Sequence, residues 1–181
     1  MREQVRNGAN HIKIMAGGGV SSPTDPIDGT QFSIEELGAA VEEAEAANLY
    51  ALAHAYSPRA VTRAVQAGVR SIEHGNLIDE ATARVMKKHG AYLVPTLSTY
   101  AALADEGQRL GWSAAMLDKL QSVQDRGLHA VRLARAKVYR LSSEPTCSVT
   151  CTRASRVNLR CALSRCRPWK CCRAPPSPPP A

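Results

Sequence analysis

Three residues able to bind or support a metal ion occur at similar places in the sequence. Lys13 lies in an alternating apolar stretch, and His54 and His74 each close a short apolar run. Neutral imidazole nitrogens are good ligands for Zn²⁺ and similar ions. A lysine amine is protonated in water, but if burial beside cations removes that proton, the amine can capture CO2. The resulting carbamate has two oxygens, which can bridge two metal ions.

A structural interpretation is open for each of these residues taken alone. A lysine on an edge strand can extend its ammonium into water, and a histidine at a strand end is commonly a hydrogen-bonded structural residue. The recurrence favours a metal site, because polar residues at the carboxyl ends of consecutive parallel strands meet at one edge of the sheet. His11, His89 and His129 do not share this placement, and we interpret them as structural or solvent-facing.

The elements that would position these residues follow from the hydrophobic pattern, which predicts strands and helices in strict alternation. Ser33 and Glu36 have the spacing of a capping box, which opens a helix ending at about Asn48. The last helical region is predicted to break near Gly107 and Gly111. The predicted strands are 11–15, 50–54, 69–73 and 91–95, the helical regions are 33–48, 57–68, 79–90 and 98–140, and the buried stripe of the first helix is Ile34, Leu37, Val41 and Ala44.

Alternation of this kind indicates an α/β fold with a parallel sheet and right-handed crossovers. A doubly wound sheet would place a phosphate-binding glycine loop directly before a helix. The glycines at 17–19 instead lie a dozen residues before the next helix, and they lack the G-x-G-x-x-G spacing. A (β/α)8 barrel places its chemistry at the carboxyl ends of its strands. The sequence therefore predicts a partial TIM-like barrel of about four βα units.

Composition limits the classes of function. The 181 residues carry a formal charge of +7, but residues 142–181 hold seven of the Lys/Arg residues and only one acidic residue, which leaves 1–141 nearly neutral. A neutral body does not favour a nucleic-acid or membrane partner. All six cysteines also lie after residue 146, so the body is typical of a reduced, cytoplasmic protein. We find no secretory leader and no apolar run long enough to span a bilayer.

Three stretches of residues 1 to about 140 resemble the fourth, fifth and sixth strand ends of the amidohydrolase superfamily: HIKIMAGGGVSSPTD, ALAHAYSPRAV and SIEHGNLID. The resemblance is to its prolidase-like and imidazolonepropionase-like group, and it implies hydrolysis of dipeptides or N-acyl amino acids. It also implies two Zn²⁺ ions bridged by a carboxylated Lys13, with His54 and His74 as ligands of the second metal. Tyr56 corresponds to a contact for a substrate carboxylate, although a tyrosine packed at the barrel mouth is equally open.

Two motifs of a complete family member are absent from the sequence. A member has a His-x-His pair on the first strand and a metal-binding aspartate in a Gly-Thr-Asp segment on the eighth, and neither pattern occurs here. The aspartate is the family's general base and acid. The resemblance therefore implies strands four to seven of the barrel, and we expect this chain alone to be inactive.

The segment 142–181 differs from the body in being rich in cysteine, arginine and proline. Its ordinary interpretation is a disordered or nucleic-acid-binding tail. However, codons for residues 143–151 can be chosen that, read one base earlier, encode Gly-Thr-Asp-Leu-Leu-Gly-Asp-Met-His. Residues 169–172 read in the same way give Leu or another residue with an NTG codon, then Glu, then Val or Met, and then Leu, which is ordinary helix sequence. We therefore predict a barrel domain at 1–141 and a disordered, out-of-frame tail at 142–181.

A second class of function stays open at this point. The chain could be a non-catalytic half-barrel that pairs with another chain, or a binding module that uses its basic tail. Copurification with a complementary chain would favour the first, and salt-dependent retention on nucleic acid the second.

Overall fold

A computed structural model describes residues 1–107, 109 and 111–137. The predicted tail at 142–181 lies outside these residues, so its disorder and the domain boundary at 141 stay predictions. The helices are α1 (Arg2–Arg6), α2 (Ile34–Ala46), α3 (Pro58–Gln66), α4 (Glu80–Lys88), α5 (Leu97–Glu106) and α6 (Ala114–Lys137), and the strands are β1 (Ile12–Met15), β2 (Ala51–Ala55), β3 (Ser71–His74) and β4 (Tyr92–Val94).

The four described strands form one parallel sheet in the order β1-β2-β3-β4. Each strand thus pairs with the next one in sequence, and the order never reverses. A doubly wound sheet reverses its strand order at the point where its ligand binds, whereas a (β/α)8 barrel continues in one direction. The sheet therefore has the topology of the predicted partial barrel.

Side-chain caps define where three of the helices begin. Ser33 and Glu36 form a complete capping box at α2. Ser57 accepts from the amide of Ala60 at the start of α3, and Asp79 accepts from the amide of Thr82 at the start of α4. These caps satisfy amide groups that a helix leaves without a partner at its amino end.

The predicted buried stripe of α2 is correct except at its first position. Leu37, Val41 and Ala44 are buried, but Ile34 is 38% exposed. Ile34 is the first helical residue, so its side chain lies beyond the part of the helix that covers the sheet. The predicted long helical region is divided into α5 and α6, and the predicted break near Gly107 and Gly111 is thereby confirmed.

The main core lies between the sheet and the helices that cover one of its faces. Ile14, Ala53, Ile72 and Leu93 supply the sheet side of this core, one from each strand. A smaller cluster lies beside the carboxyl ends of the strands and consists of Val20, Tyr56, Tyr100, Leu120 and Val123. Within the part of the chain that the structure describes, no helix has the length and apolarity to cross a membrane.

Candidate metal centre

The strand register places Lys13 and His54 on the face of the sheet opposite the main core. Lys13 pairs with Leu52, and Met15 pairs with His54, and paired residues of parallel strands project to the same side. Lys13 is the second residue of β1, two positions before its end, and it is exposed. The buried lysine considered from the alternating pattern is therefore not observed. Its face of β1 is uncovered by the described residues, as the 48% exposure of Met15 also shows.

His74 reaches this face through an unusual backbone conformation. Alternation along β3 would direct it to the helix side, because Ile72 lies in the main core and the register partner of His74 is Ala55 of the same core. Instead His74 has φ +76°, and Gly75 follows with φ +59°. These positive φ angles turn the chain, and they account for the approach of the His74 ring to the site.

The rings of both predicted histidines meet at the carboxyl edge of the sheet. The ring centroids of His54 and His74 are 4.6 Å apart, at an interplanar angle of 75°. Tyr56 stacks on His74 at 5.1 Å and meets His54 edge-on at 4.9 Å. Tyr56 is only 1% exposed. The tyrosine therefore packs against both histidines and restricts the orientation of their rings.

A backbone carbonyl determines which nitrogen of His54 is free. His54 Nε2 lies 3.0 Å from the carbonyl oxygen of Gly18. A carbonyl can only accept, so Nε2 carries the proton and Nδ1 keeps its lone pair. Gly18 cannot be replaced without moving the loop, because a Cβ there would lie 1.9 Å from the carbonyl oxygen of Pro26. The steric need at Gly18 explains one of the three consecutive glycines.

The loop that carries Gly18 is held by helix α6. Lys119 Nζ donates to the carbonyl oxygens of Ser22, at 3.0 Å, and Asp25, at 2.6 Å. Sequence reasoning did not find Lys119, because a lysine in an amphipathic helix carries no signal that it reaches a loop 94 to 97 residues earlier. Helix α6 therefore supports His54 indirectly, by fixing the loop on which its carbonyl partner lies.

Two further polar residues contact the site from the chain after β4. His74 Nδ1 hydrogen bonds to Thr96 Oγ1, and Thr96 Oγ1 lies 3.3 Å from the Tyr100 hydroxyl. The Tyr100 hydroxyl lies 3.3 Å from that of Tyr56. Sequence reasoning missed both residues, although Thr96 follows a fourth strand end and the rule that selected the histidines applies to it equally.

Burial and neighbouring charges keep both imidazoles neutral. Burial lowers the pKa of His54, and the Lys13 ammonium lowers it further, while the Gly18 carbonyl acts in the opposite direction. Burial lowers the pKa of His74 to about 3, with further contributions from His54 and Lys13. The structure brings the two histidine rings into contact and places Lys13 on the same face of the neighbouring strand as His54. Neutral imidazole is the form that binds a metal.

The donor set fits part of a metal centre. His54 Nδ1 and His74 both offer imidazole nitrogens, but the described residues contain no group of three or more His, Cys, Asp or Glu that could hold an ion. A zinc ion prefers about four ligands, with three from protein at a catalytic site. The two histidines therefore fit zinc as a partial set, and the zinc and the carboxylation of Lys13 stay predictions.

The sequential parallel sheet is that of part of a (β/α)8 barrel, and the two histidine rings lie at its carboxyl edge, where barrels of this class place their sites. Within that class, the profile of the amidohydrolase family matches residues 1–142. The chain belongs to the amidohydrolase family. The predicted resemblance and fold are thereby confirmed.

Two curated relatives show how far the similarity extends. Ochratoxinase from Aspergillus niger is 39% identical over 134 residues, which are 72% of this chain and 27% of the relative. An uncharacterized protein from Mycobacterium tuberculosis is 30% identical over 140 residues, which are 76% of this chain and 37% of that protein. This chain therefore spans less than two fifths of the length of either relative.

The matches to solved structures also cover most of this chain but only part of the other protein. A prolidase complexed with N-methylphosphonate-L-proline is 52% identical with a TM-score of 0.75, and the match covers 78% of this chain and 35% of the prolidase. A Xaa-Pro dipeptidase with methionine bound in its active site is 31% identical with a TM-score of 0.71, and the match covers 78% of this chain and 35% of that enzyme. The shared part is about a third of each enzyme.

Proposed function

We propose that this chain forms part of a binuclear metal-dependent amidohydrolase that cleaves the C–N bonds of dipeptides or N-acyl amino acids. The observation that carries the proposal is the contact of His54 and His74 at the carboxyl edge of the sheet, with Lys13 on the same face of the neighbouring strand as His54. The similarity to a prolidase and a Xaa-Pro dipeptidase supports a dipeptide as the substrate. Acting alone, the chain supplies only part of the site, and we propose that it is inactive.

The three residues have distinct roles in this proposal. His54 would hold a metal through Nδ1, because its Nε2 is used by Gly18. His74 would hold the same metal through Nε2, because its Nδ1 faces Thr96. Lys13 would be the carboxylated lysine that the family resemblance implies: its amine would lose a proton and form an N–C bond to CO2, and the oxygens of the resulting carbamate would be ligands for zinc. When bound, the zinc pair polarises the amide carbonyl and activates water.

Tyr56 is proposed to contact the carboxylate of the substrate. Its hydroxyl lies beside that of Tyr100, and burial raises its pKa to about 12, so the phenol keeps its proton at neutral pH. A protonated phenol can donate a hydrogen bond to a carboxylate. Because Tyr56 is 1% exposed, this contact requires movement of the residues that pack around its ring.

A chimera tests the proposed function. Residues 1–137 would replace the matching third of the 52% identical prolidase, which supplies the rest of a barrel. We expect two zinc ions per chain and hydrolysis of Xaa-Pro dipeptides. In the chimera, Lys13→Ala should lose one metal and the activity, with partial rescue by a small carboxylic acid that occupies the bridge between the metals.

The matched control is His11→Ala, which removes an exposed histidine on the amino side of the same strand. This variant should keep both metals and full activity. Unchanged metal content and activity in the Lys13→Ala chimera would show that the lysine is an ordinary strand residue, and the proposed function would be wrong.

A non-catalytic half-barrel is a second candidate, and one observation favours it. Among the described strands, β1 and β4 each pair on one side only, and the exposed Met15 lies on β1. An open sheet edge accepts a further strand. Copurification of the chain with a complementary barrel chain, without any gain of hydrolysis, would support this candidate over the enzyme.

A further inference from the structure

Four polar side chains form a continuous hydrogen-bonded series at the site. It runs from His74 Nδ1 to the hydroxyls of Thr96, Tyr100 and Tyr56. Tyr56 and Tyr100 are each 1% exposed, and Thr96 is partly buried. Water therefore competes little for these groups, and the direction of each bond constrains the next.

The direction of the bonds determines the tautomer of His74. Each of these hydroxyls has one proton and can also accept, and the contacts are consistent with donation from Thr96 Oγ1 to the Tyr100 hydroxyl and from Tyr100 to the Tyr56 hydroxyl. A threonine hydroxyl has a single proton. Once Thr96 gives that proton to Tyr100, it can only accept from His74, so His74 Nδ1 carries its own proton and Nε2 keeps the lone pair.

Ring packing supports this arrangement. The ring centroids of Tyr100 and His74 are 5.9 Å apart, and Tyr56 stacks on His74 from another side. The His74 imidazole is therefore held by aromatic rings while Thr96 holds one of its nitrogens. Rotation of the imidazole to present Nδ1 to the site would break both kinds of contact.

We propose that Thr96 and Tyr100 are positioning residues that fix His74 as the Nδ1-protonated tautomer and so direct its Nε2 lone pair into the site. The role rests on the proposed function, because it concerns a histidine assigned there to the metal. A fixed tautomer matters for a metal site because only an unprotonated imidazole nitrogen can bind an ion. Tyr100 acts at a distance, by taking the Thr96 proton that could otherwise point at Nδ1.

The test is a ¹⁵N NMR measurement of histidine tautomers in the metal-free full-length chain. The His74 signals are assigned by their loss in His74→Gln. We expect wild-type His74 to have a protonated Nδ1 and an unprotonated Nε2. Because no metal is added, this readout is independent of whether the chain belongs to a hydrolase.

Three variants separate the hydroxyl groups from the packing. Thr96→Val removes the acceptor and keeps the branched shape, whereas Thr96→Ser keeps the hydroxyl and serves as the matched control. Tyr100→Phe keeps the ring and removes only the acceptor of the Thr96 proton. We expect Thr96→Val and Tyr100→Phe to shift the tautomer ratio of His74 toward Nε2–H by roughly tenfold, and Thr96→Ser to leave it unchanged.

Zinc titration gives a second readout, after alkylation of the cysteines. All six cysteines lie at or after Cys147, so alkylation removes competing thiolates and modifies none of the described residues. Zinc affinity should fall at least tenfold in Thr96→Val and Tyr100→Phe, with wild-type affinity in Thr96→Ser. A wild-type His74 that is protonated at Nε2, or an unchanged tautomer ratio in both Thr96→Val and Tyr100→Phe, would overturn the assignment.

Discussion

At the residue scale, the site depends on a backbone conformation more than on a side-chain pattern. His74 is a non-glycine residue with φ +76°, in a region that L residues occupy at a cost. This strained conformation moves the His74 ring away from the side of the sheet on which strand alternation would place it. Gly75 completes the turn, and Leu93 packs closely against it.

Gly75→Ala tests this account of the turn. A Cβ at this position would lie 2.4 Å from Leu93 Cδ1, in a residue with φ +59°. We expect the free energy of unfolding in urea to fall by about 1 kcal/mol for the positive φ, with about 1–3 kcal/mol more for the clash. Gly90→Ala is the matched control, because Gly90 has φ +67° and no atom within 4 Å of its would-be Cβ. Equal losses in the two variants would contradict the packing argument.

At the element scale, strand ends and helix caps place the residues of the candidate site. Each described strand is followed by a helix, and Ser57 and Asp79 begin the helices that follow β2 and β3. The caps therefore fix where the chain leaves each strand end, close to His54 and His74. Loss of a cap should therefore lower the free energy of unfolding.

Asp79→Ala should reduce the free energy of unfolding by about 1 kcal/mol at neutral pH. The amide and the hydroxyl of Thr82 both donate hydrogen bonds to the Asp79 carboxylate. These bonds lower the pKa of Asp79 below its ordinary value of 3.8. Because the folded-state pKa is the lower one, this contribution is present above about pH 4 and is lost as pH falls through the folded pKa. The difference between wild type and variant, measured by urea unfolding, should therefore shrink in acid.

Ser57→Ala is the comparison for the cap at Asp79. Ser57 is an uncharged cap of α3, so its loss should cost a similar amount that varies little between pH 7 and pH 3. A cost of Asp79→Ala that stays constant over this range would show that its charge makes no contribution.

The order and type of the elements were predictable from the sequence, because apolar periodicity and capping residues are local signals. The same signals located His54 and His74 at the carboxyl edge of the sheet, and they located Lys13 on the strand beside that of His54. The positive φ of His74 was not predictable, since alternation assigns that residue to the other face. The contacts made by Thr96, Tyr100 and Lys119 were missed because they join distant parts of the chain through single hydrogen bonds.

At the scale of the whole molecule, the chain supplies about four of the units of a barrel. The match covers about a third of the length of the solved relatives, and the inner face at Lys13 and Met15 is open in the described residues. An intact site therefore needs groups from outside this sheet. The absent His-x-His and Gly-Thr-Asp motifs are the groups that the family resemblance implies.

The DNA across codons 139–145 and beyond tests the origin of residues 142–181. We expect an extra or missing base near Tyr139 to Ser143, after which the alternative frame encodes Gly-Thr-Asp across codons 143–146. Resequencing of genomic DNA and transcript is the measurement. A confirmed sequence whose alternative frame lacks Gly-Thr-Asp would show that the tail is translated in its proper frame.

Zinc binding by the cysteine-alkylated chain tests the central claim most directly. Wild type should bind at most one zinc ion, weakly, through His54 and His74, and Lys13→Ala should leave that binding unchanged because no second cation promotes carboxylation of the lysine. His54→Gln and His74→Gln should each lower the zinc affinity at least tenfold, whereas His11→Gln should not change it. Zinc binding that survives in the His54→Gln/His74→Gln double variant at wild-type affinity would contradict the assignment of these histidines to a metal centre.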